Sequence, residues 1–170
     1  MTNKLIGGQK VLAQLSTEQF LTFSLAPDQQ AILLTQHLLE IVSVNLSKIT
    51  AIAGLDSHVM GIYNWRGDVI WVVDLASMLG YTPLYAQEDN SGKFQDRCHI
   101  IFLRSQDMII GFAVPHVGQM VKVETTKIQP AAIAFKNAAL SQVCSGYWLN
   151  ILNETLLVLD GAAIIERFKQ

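Results

Sequence analysis

The sequence has few charged residues, two cysteines and no long uninterrupted hydrophobic segment. Charged residues make up 15% of its 170 positions and hydrophobic residues 51%, whereas soluble proteins average about 25% charged residues. The net charge is −2 and no basic tract occurs, which excludes the electrostatic pattern of nucleic-acid binding. No apolar run reaches the roughly 18 residues of a membrane-spanning helix, and the N-terminus lacks a signal-peptide pattern. We therefore expect a cytoplasmic protein without direct membrane insertion.

The residue patterns of catalysis and metal binding are also missing. Asp56, Ser57 and His58 are the residue types of a hydrolase triad, but adjacent residues cannot adopt its geometry. The histidines lack His-x-x-x-His spacing and no phosphate-binding glycine loop occurs. Cys98 and Cys144 show no metal-ligand spacing, which favours two buried thiols in a reducing compartment. We expect no enzyme, no cofactor and no metal site.

Short β-rich segments separated by turn residues fill most of the chain. Strand character appears at 20–25, 31–34, 41–44, 61–65, 69–73, 99–103, 108–114, 118–123, 146–151 and 155–159. Arg66, Gly67 and Asp68 are predicted to form a three-residue hairpin turn in which Gly67 supplies a positive φ. Asp74 is predicted to cap a short helix that stops at Gly80.

The unit of a hairpin followed by an Asp-capped helix occurs twice. It covers 61–74 and returns at 146–160, about 85 residues later. Asp160 is predicted to cap a final helix with an apolar inner face. This repeat predicts a mainly β protein of two small barrels that share an apolar seam, because each half alone would have a marginal core. The predicted segments are a flexible N-terminal arm at 1–18, subdomain one at about 19–81, a loop at 82–97 and subdomain two at about 98–168.

The first hairpin carries unusual side chains for so apolar a region. Asn64 and Arg66 interrupt the strands, and Trp65 and Trp71 flank the turn. Large aromatic residues and arginine are enriched at the centres of protein–protein interfaces. Composition leaves a second interpretation open, in which both tryptophans belong to the core and Arg66 is a solvated turn residue.

The same hairpin resembles a known family. The string Gly-x-x-Asn-x-Arg-Gly, six further residues and then Asp-Leu is similar to the signature of CheW-like chemotaxis coupling proteins. Its positions here are Gly61, Asn64, Arg66, Gly67, Asp74 and Leu75. The resemblance extends upstream to 20–25 and 38–41 and downstream to 108–123 and 146–165, so it covers roughly 19–168.

Membership of this family implies a fold, a role and a site. The fold would be two SH3-like five-stranded β-barrels with short helices. The role would be that of a non-catalytic adaptor that binds the cytoplasmic hairpin tip of a methyl-accepting chemoreceptor-like protein and the regulatory domain of a CheA-type histidine kinase. By match to the family, the receptor-facing residues are Leu38, Glu40, Gly61, Asn64, Trp65 and Arg66. Arg66 would offer a multi-donor fork to polar or acidic groups, and Asn64 would brace the hairpin.

The chain departs from the common family pattern at several positions. Val42 replaces a frequent basic residue, Trp65 a leucine, Trp71 a proline and Pro115 an aspartate. These departures argue against a standard chemotaxis receptor, and the hairpin is similar to that of cyanobacterial members in phototaxis or type IV pilus control. Two alternatives stay open: a CheW-like regulatory module from a larger kinase, and a small-ligand-binding β-barrel.

Overall fold

A computed structural model describes residues 16–131 and 137–170, so most of the predicted N-terminal arm lies outside the described residues. The strands are β1 (Thr17–Ala26), β2 (Gln29–Leu34), β3 (Leu38–Asn45), β4 (Val59–Trp65), β5 (Asp68–Asp74), β6 (Arg97–Ser105), β7 (Met108–Val114), β8 (His116–Glu124), β9 (Gln129–Pro130), β10 (Cys144–Leu149) and β11 (Thr155–Leu159). The α-helices are α1 (Leu75–Met78), α2 (Ala138–Val143) and α3 (Gly161–Phe168). The 3-10 turns are Thr35–His37, Leu46–Lys48, Leu84–Ala86 and Thr125–Lys127. Because β1 begins at Thr17, the last two residues of the predicted arm belong to a strand.

The strands form two curled sheets, which confirms the prediction of a mainly β fold. One sheet has five strands in the order β3-β6-β7-β5-β4, and the other has six in the order β8-β1-β2-β11-β10-β9. The sixth strand, β9, is only two residues long. Parallel pairs join β2 to β11 and β5 to β7, and the remaining strand pairs are antiparallel.

Sheet membership does not follow the two halves that the repeat suggested. The first two strands of the chain pair with β8 and β11, so they belong to the six-stranded sheet. The chain changes sheets between β2 and β3 and again between β7 and β8. The loop at 82–97 joins two strands of the same sheet. A sequence repeat predicts the order of the elements along the chain. It does not predict which strands pair, because pairing between distant strands is not specified by the local residue pattern.

A shared apolar core lies between the two sheets. Leu21 and Phe23 come from the six-stranded sheet, Ile101 and Phe112 come from the five-stranded sheet, and each is at most 1% exposed. Each sheet has a smaller cluster on its opposite face: one around Phe102 on the five-stranded sheet, and one around Ile32, Phe20 and Val158 on the six-stranded sheet. The central cluster contains more large buried side chains than either small one.

The repeated unit is present at both predicted places. Asp74 Oδ1 accepts a hydrogen bond from the Ser77 N–H at 3.1 Å, and Asp160 Oδ1 accepts one from the Ala163 N–H at 3.1 Å. Gly80 follows α1 with a φ of 81°. The two turns differ, however, since β4 and β5 flank two residues while β10 and β11 flank residues 150–154.

Both cysteines are buried and free, as predicted. Burial raises the pKa of the Cys98 thiol to about 12, and burial also raises the pKa of Cys144. At neutral pH both therefore act as small apolar side chains in the core.

Candidate functional site

The β4–β5 hairpin ends in a tighter turn than the sequence suggested. Trp65 pairs with Asp68, so Arg66 and Gly67 alone form the loop. Their φ values of 53° and 88° are both positive, which is the signature of the type I′ turn that matches the twist of a two-residue hairpin. The three-residue turn predicted earlier is wrong, because Asp68 already pairs within β5. The positive φ predicted for Gly67 is present.

One carboxylate oxygen of Glu40 holds the two side chains beside this turn. Glu40 Oε2 accepts a hydrogen bond from the Trp65 indole N–H at 2.6 Å and lies 3.1 Å from Arg66 Nη2. The Arg66 guanidinium carbon lies 5.1 Å from the centre of the Trp65 ring, within cation–π range. Arg66 is therefore an exposed but oriented cation rather than a freely solvated turn residue.

Trp65 connects this cluster to the core. Its ring stacks on Phe102 with centroids 4.8 Å apart, and Phe102 is fully buried. Phe102 pairs directly with Glu40 across β3 and β6, so both contacts of Trp65 lie on the same face of the sheet. The two edge strands β3 and β4 thus meet through side chains. Each interpretation of the hairpin is therefore correct in part: Trp65 packs against the core, and Arg66 is exposed at the surface.

Asn64 and Gly61 both have structural roles within the hairpin. Asn64 Oδ1 accepts a hydrogen bond from the Gly67 N–H at 3.1 Å, which matches the predicted bracing role. Gly61 is buried with a φ of 142°, and a Cβ placed there would overlap the carbonyl oxygen of Thr50. That contact accompanies the bridge between Thr50 and Ile62, which ties the segment after β3 to β4.

Leu38 lies on the opposite side of the sheet from Glu40. The pairing of β3 with β6 shifts register between Leu38 and Glu40, so Leu39 is an extra residue that reverses the alternation. Leu38 consequently packs against the central core, and Glu40 reaches toward Trp65. The structure thus brings together Glu40, Asn64, Trp65 and Arg66, while Leu38 and Gly61 lie elsewhere on the same two strands.

Comparisons with known proteins agree with this fold. The family model of the CheW-like domain matches residues 19–169. The chain belongs to the CheW-like domain family. The scaffolding protein TtCheW from Thermoanaerobacter tengcongensis has a similar crystal structure, with a TM-score of 0.69 at 18% identity over 85% of this chain and 89% of that chain. A search of curated proteins gives no match.

The β4–β5 hairpin of this CheW-like domain also exposes an apolar face, which the sequence analysis did not predict. Trp71 is 39% exposed and pairs with Ile62, and Val69 is 65% exposed and pairs with Asn64. Ile70 and Val72 alternate with them and point into the small core of the five-stranded sheet. The residue pattern of β5 is a signal that could have revealed the exposed face. Residues 69–73 are apolar at every position, so both faces of the strand are apolar, and a face that the core does not cover must be exposed or bind a partner.

Asp74, the last residue of β5, is the most deeply buried acidic side chain of this CheW-like domain among the described residues, at 3% exposure. Its Oδ2 accepts a hydrogen bond from the Leu84 N–H at 2.7 Å, in addition to the α1 cap. Burial raises the pKa of Asp74, partly offset by these backbone donors. Asp74 therefore joins the hairpin, α1 and the following loop.

Two further properties concern the described residues of this CheW-like chain. Residues 16–131 and 137–170 contain no group of three or more His, Cys, Asp or Glu side chains arranged to hold a metal ion. Within the same ranges no helix is long and apolar enough to cross a bilayer.

Proposed function

We propose that this chain is a non-catalytic cytoplasmic adaptor that couples a methyl-accepting chemoreceptor-like sensor to a CheA-type histidine kinase. The observation that carries the proposal is the oriented Arg66 at the tip of the β4–β5 hairpin, on a domain of the CheW-like family. The likeness to a protein described as scaffolding supports an adaptor role.

The proposed receptor contact uses the tip of the β4–β5 hairpin. Arg66 retains most of its donors for a partner, because its side chain is 68% exposed and only one nitrogen faces Glu40. Trp65 and Glu40 fix the direction of those donors before binding, which lowers the entropy lost on association. The partner would be a polar or acidic group on the cytoplasmic hairpin tip of the receptor.

The mechanism rests on valency and rigidity. One domain that binds both the receptor and the kinase raises the effective concentration of the kinase at the receptor. The receptor signal must reach the kinase as a difference in contact free energy between receptor states. A rigid domain with a shared central core transmits such differences without turnover.

The pathway proposed is chemotaxis, phototaxis or type IV pilus control, and the departures from the common family pattern favour the last two. The support is the pair of tryptophans on the hairpin, of which Trp71 widens the exposed apolar face beside Val69. A receptor tip suited to this hairpin would therefore carry apolar side chains next to its polar or acidic group.

Co-purification with a cognate receptor tip and a kinase regulatory domain tests the proposal. Arg66→Glu places a second carboxylate beside Glu40 and should weaken receptor binding about tenfold or more, while Arg66→Gln should weaken it less. Both variants should unfold at nearly the wild-type temperature, since Arg66 is an exposed turn residue.

Lys122→Glu is the matched control, because Lys122 is an exposed cation on β8 of the other sheet. Receptor binding that is equally strong in wild type and Arg66→Glu would reject the hairpin as the receptor contact. Turnover of any substrate by the purified chain would reject the adaptor role itself.

A further inference from the structure

The five-stranded sheet leaves an open seam between its two edge strands. β3 and β4 are the edges, and they are tied together at two places. Glu40 meets Trp65 at one end, and the Thr50–Ile62 bridge closes the other. A groove of about 480 Å³ lies between these two ties. Its lining includes Ser43, Asn45, Lys48, Tyr63, Asn64 and Arg97.

The groove is positively charged. Lys48 and Arg97 are both exposed, and neither forms an ion pair with an acidic side chain in the described ranges 16–131 and 137–170. Arg97 Nη2 donates a hydrogen bond to Ser43 Oγ at 3.3 Å, which joins two residues of the groove lining. No described acidic residue lines the groove, and Arg66 outside it is already paired with Glu40. Lys48 and Arg97 are therefore the charged side chains of the groove lining.

The backbone beside the groove is open as well. Among the described strands, β3 pairs only with β6, and β4 pairs only with β5 apart from the single bridge to Thr50. β3 consequently turns a row of backbone donors and acceptors toward the seam, whereas the backbone N–H and C=O of Ile62 on β4 are already bonded to Thr50. An extended peptide is the ligand that satisfies such edges while its alternate side chains reach flanking groups.

We propose that this seam binds an extended acidic segment of a protein partner, with Lys48 and Arg97 pairing with carboxylates of that segment. The site shares Asn64 with the receptor-facing set, but its two cations are separate from Arg66 and the proposal does not depend on the identity of the receptor. Two cations are too few for the phosphate contacts that give nucleic acids their affinity, which favours a peptide. Asn64 Oδ1 is engaged by Gly67 N–H, so its amide N–H donors remain for the bound segment.

Fluorescence anisotropy with a labelled peptide of alternating Glu and Thr tests the proposal on the full chain. The peptide should bind wild type, and the double variant Lys48→Gln/Arg97→Gln should bind about tenfold more weakly, because two charge pairs are lost. A Gln/Thr peptide lacks the carboxylates. It should therefore bind wild type no more tightly than the Glu/Thr peptide binds the double variant. Binding should weaken with added salt, since the pairs are exposed.

Lys122→Gln on β8 is the matched control and should leave peptide binding unchanged. Amide NMR shifts induced by the Glu/Thr peptide should concentrate at Ser43, Val44, Asn45 and Tyr63. Three results would each overturn the proposal: no binding of the acidic peptide, an equal loss in Lys122→Gln, or tighter binding of a single-stranded oligothymidine. Unchanged thermal unfolding of the double variant would show that its loss of binding is local.

Discussion

At the scale of single residues, Glu40 shows how one side chain sets the chemistry of a surface. Its carboxylate both accepts the Trp65 indole N–H and neutralises part of the Arg66 charge. The ion pair is exposed, with side-chain exposures of 33% and 68%, so its contribution to stability is small. The hydrogen bond matters more, because an indole N–H at a half-buried position needs an acceptor.

Replacement of Glu40 separates these two contributions. Glu40→Ala should lower the free energy of unfolding by about 1–2 kcal/mol, because the indole N–H loses its acceptor. Glu40→Gln keeps an acceptor oxygen and should cost less than about 1 kcal/mol. Urea unfolding of the two variants measures the difference. Equal losses would show that charge, and not the hydrogen bond, dominates this contact.

Asp74 makes a second residue-scale prediction through its burial. Because burial raises its pKa, the folded chain binds the proton more tightly than the unfolded chain does. The stability from this group is therefore complete below its ordinary pKa of 3.8 and is lost as pH rises through the raised value.

Asp74→Asn should destabilise the fold by about 1–2 kcal/mol, because one of two backbone N–H groups then faces an amide NH₂. The difference from wild type should be larger near pH 3 than near pH 7, which urea unfolding across that range measures. Asp160→Asn alters a helix cap without a second backbone donor and serves as the control. A difference that grows with rising pH would mean that the backbone donors outweigh burial.

At the scale of elements, local irregularities decide where side chains point. The bulge at Leu39 places Leu38 and Glu40 on opposite faces, and Gly61 permits a backbone contact with Thr50. Periodicity along the sequence assumes strict alternation, so it cannot reveal a residue that breaks it. The resemblance to the family implies that these residues face the receptor, and the bulge and Gly61 set where each of them lies on its strand.

Gly61→Ala tests the element-scale role. Its Cβ would strike the Thr50 carbonyl, so we expect a loss of about 2–4 kcal/mol in the free energy of unfolding. Gly54→Ala is a close control, because Gly54 also has a positive φ of 81° but open space around its Cα. That variant should cost only about 1–2 kcal/mol from backbone strain. Equal costs in urea unfolding would contradict the close-contact explanation.

At the scale of the whole molecule, the shared core makes the two sheets interdependent. Strands from both sheets bury Phe23, Ile101, Leu103 and Phe112 in one cluster. The N-terminal β1 also pairs with β8, far along the chain. Neither half of the sequence contains a complete sheet with its core, so we expect a single cooperative unit.

Unfolding followed at two sites tests this cooperativity. Trp65 reports on the five-stranded sheet and Trp148 on the six-stranded sheet. In variants that retain only one of these tryptophans, with phenylalanine at the other tryptophan positions, Leu103→Ala should lower both urea midpoints by a similar amount. Its expected cost is about 2–5 kcal/mol. Two transitions, of which only one responds to Leu103→Ala, would show that the sheets fold separately.

The sequence by itself determined the β class, the repeated hairpin with its Asp caps, and the hairpin that carries Asn64 and Arg66. Those features rest on local chemistry: alternation, a glycine with positive φ and a carboxylate that accepts backbone N–H groups. Only the tertiary structure decided which sheet receives β1, which face Leu38 occupies, and that Glu40 holds Trp65 and Arg66. Each of these depends on pairing between residues distant in the chain, and such pairing is selected by packing of the whole core rather than by any local pattern.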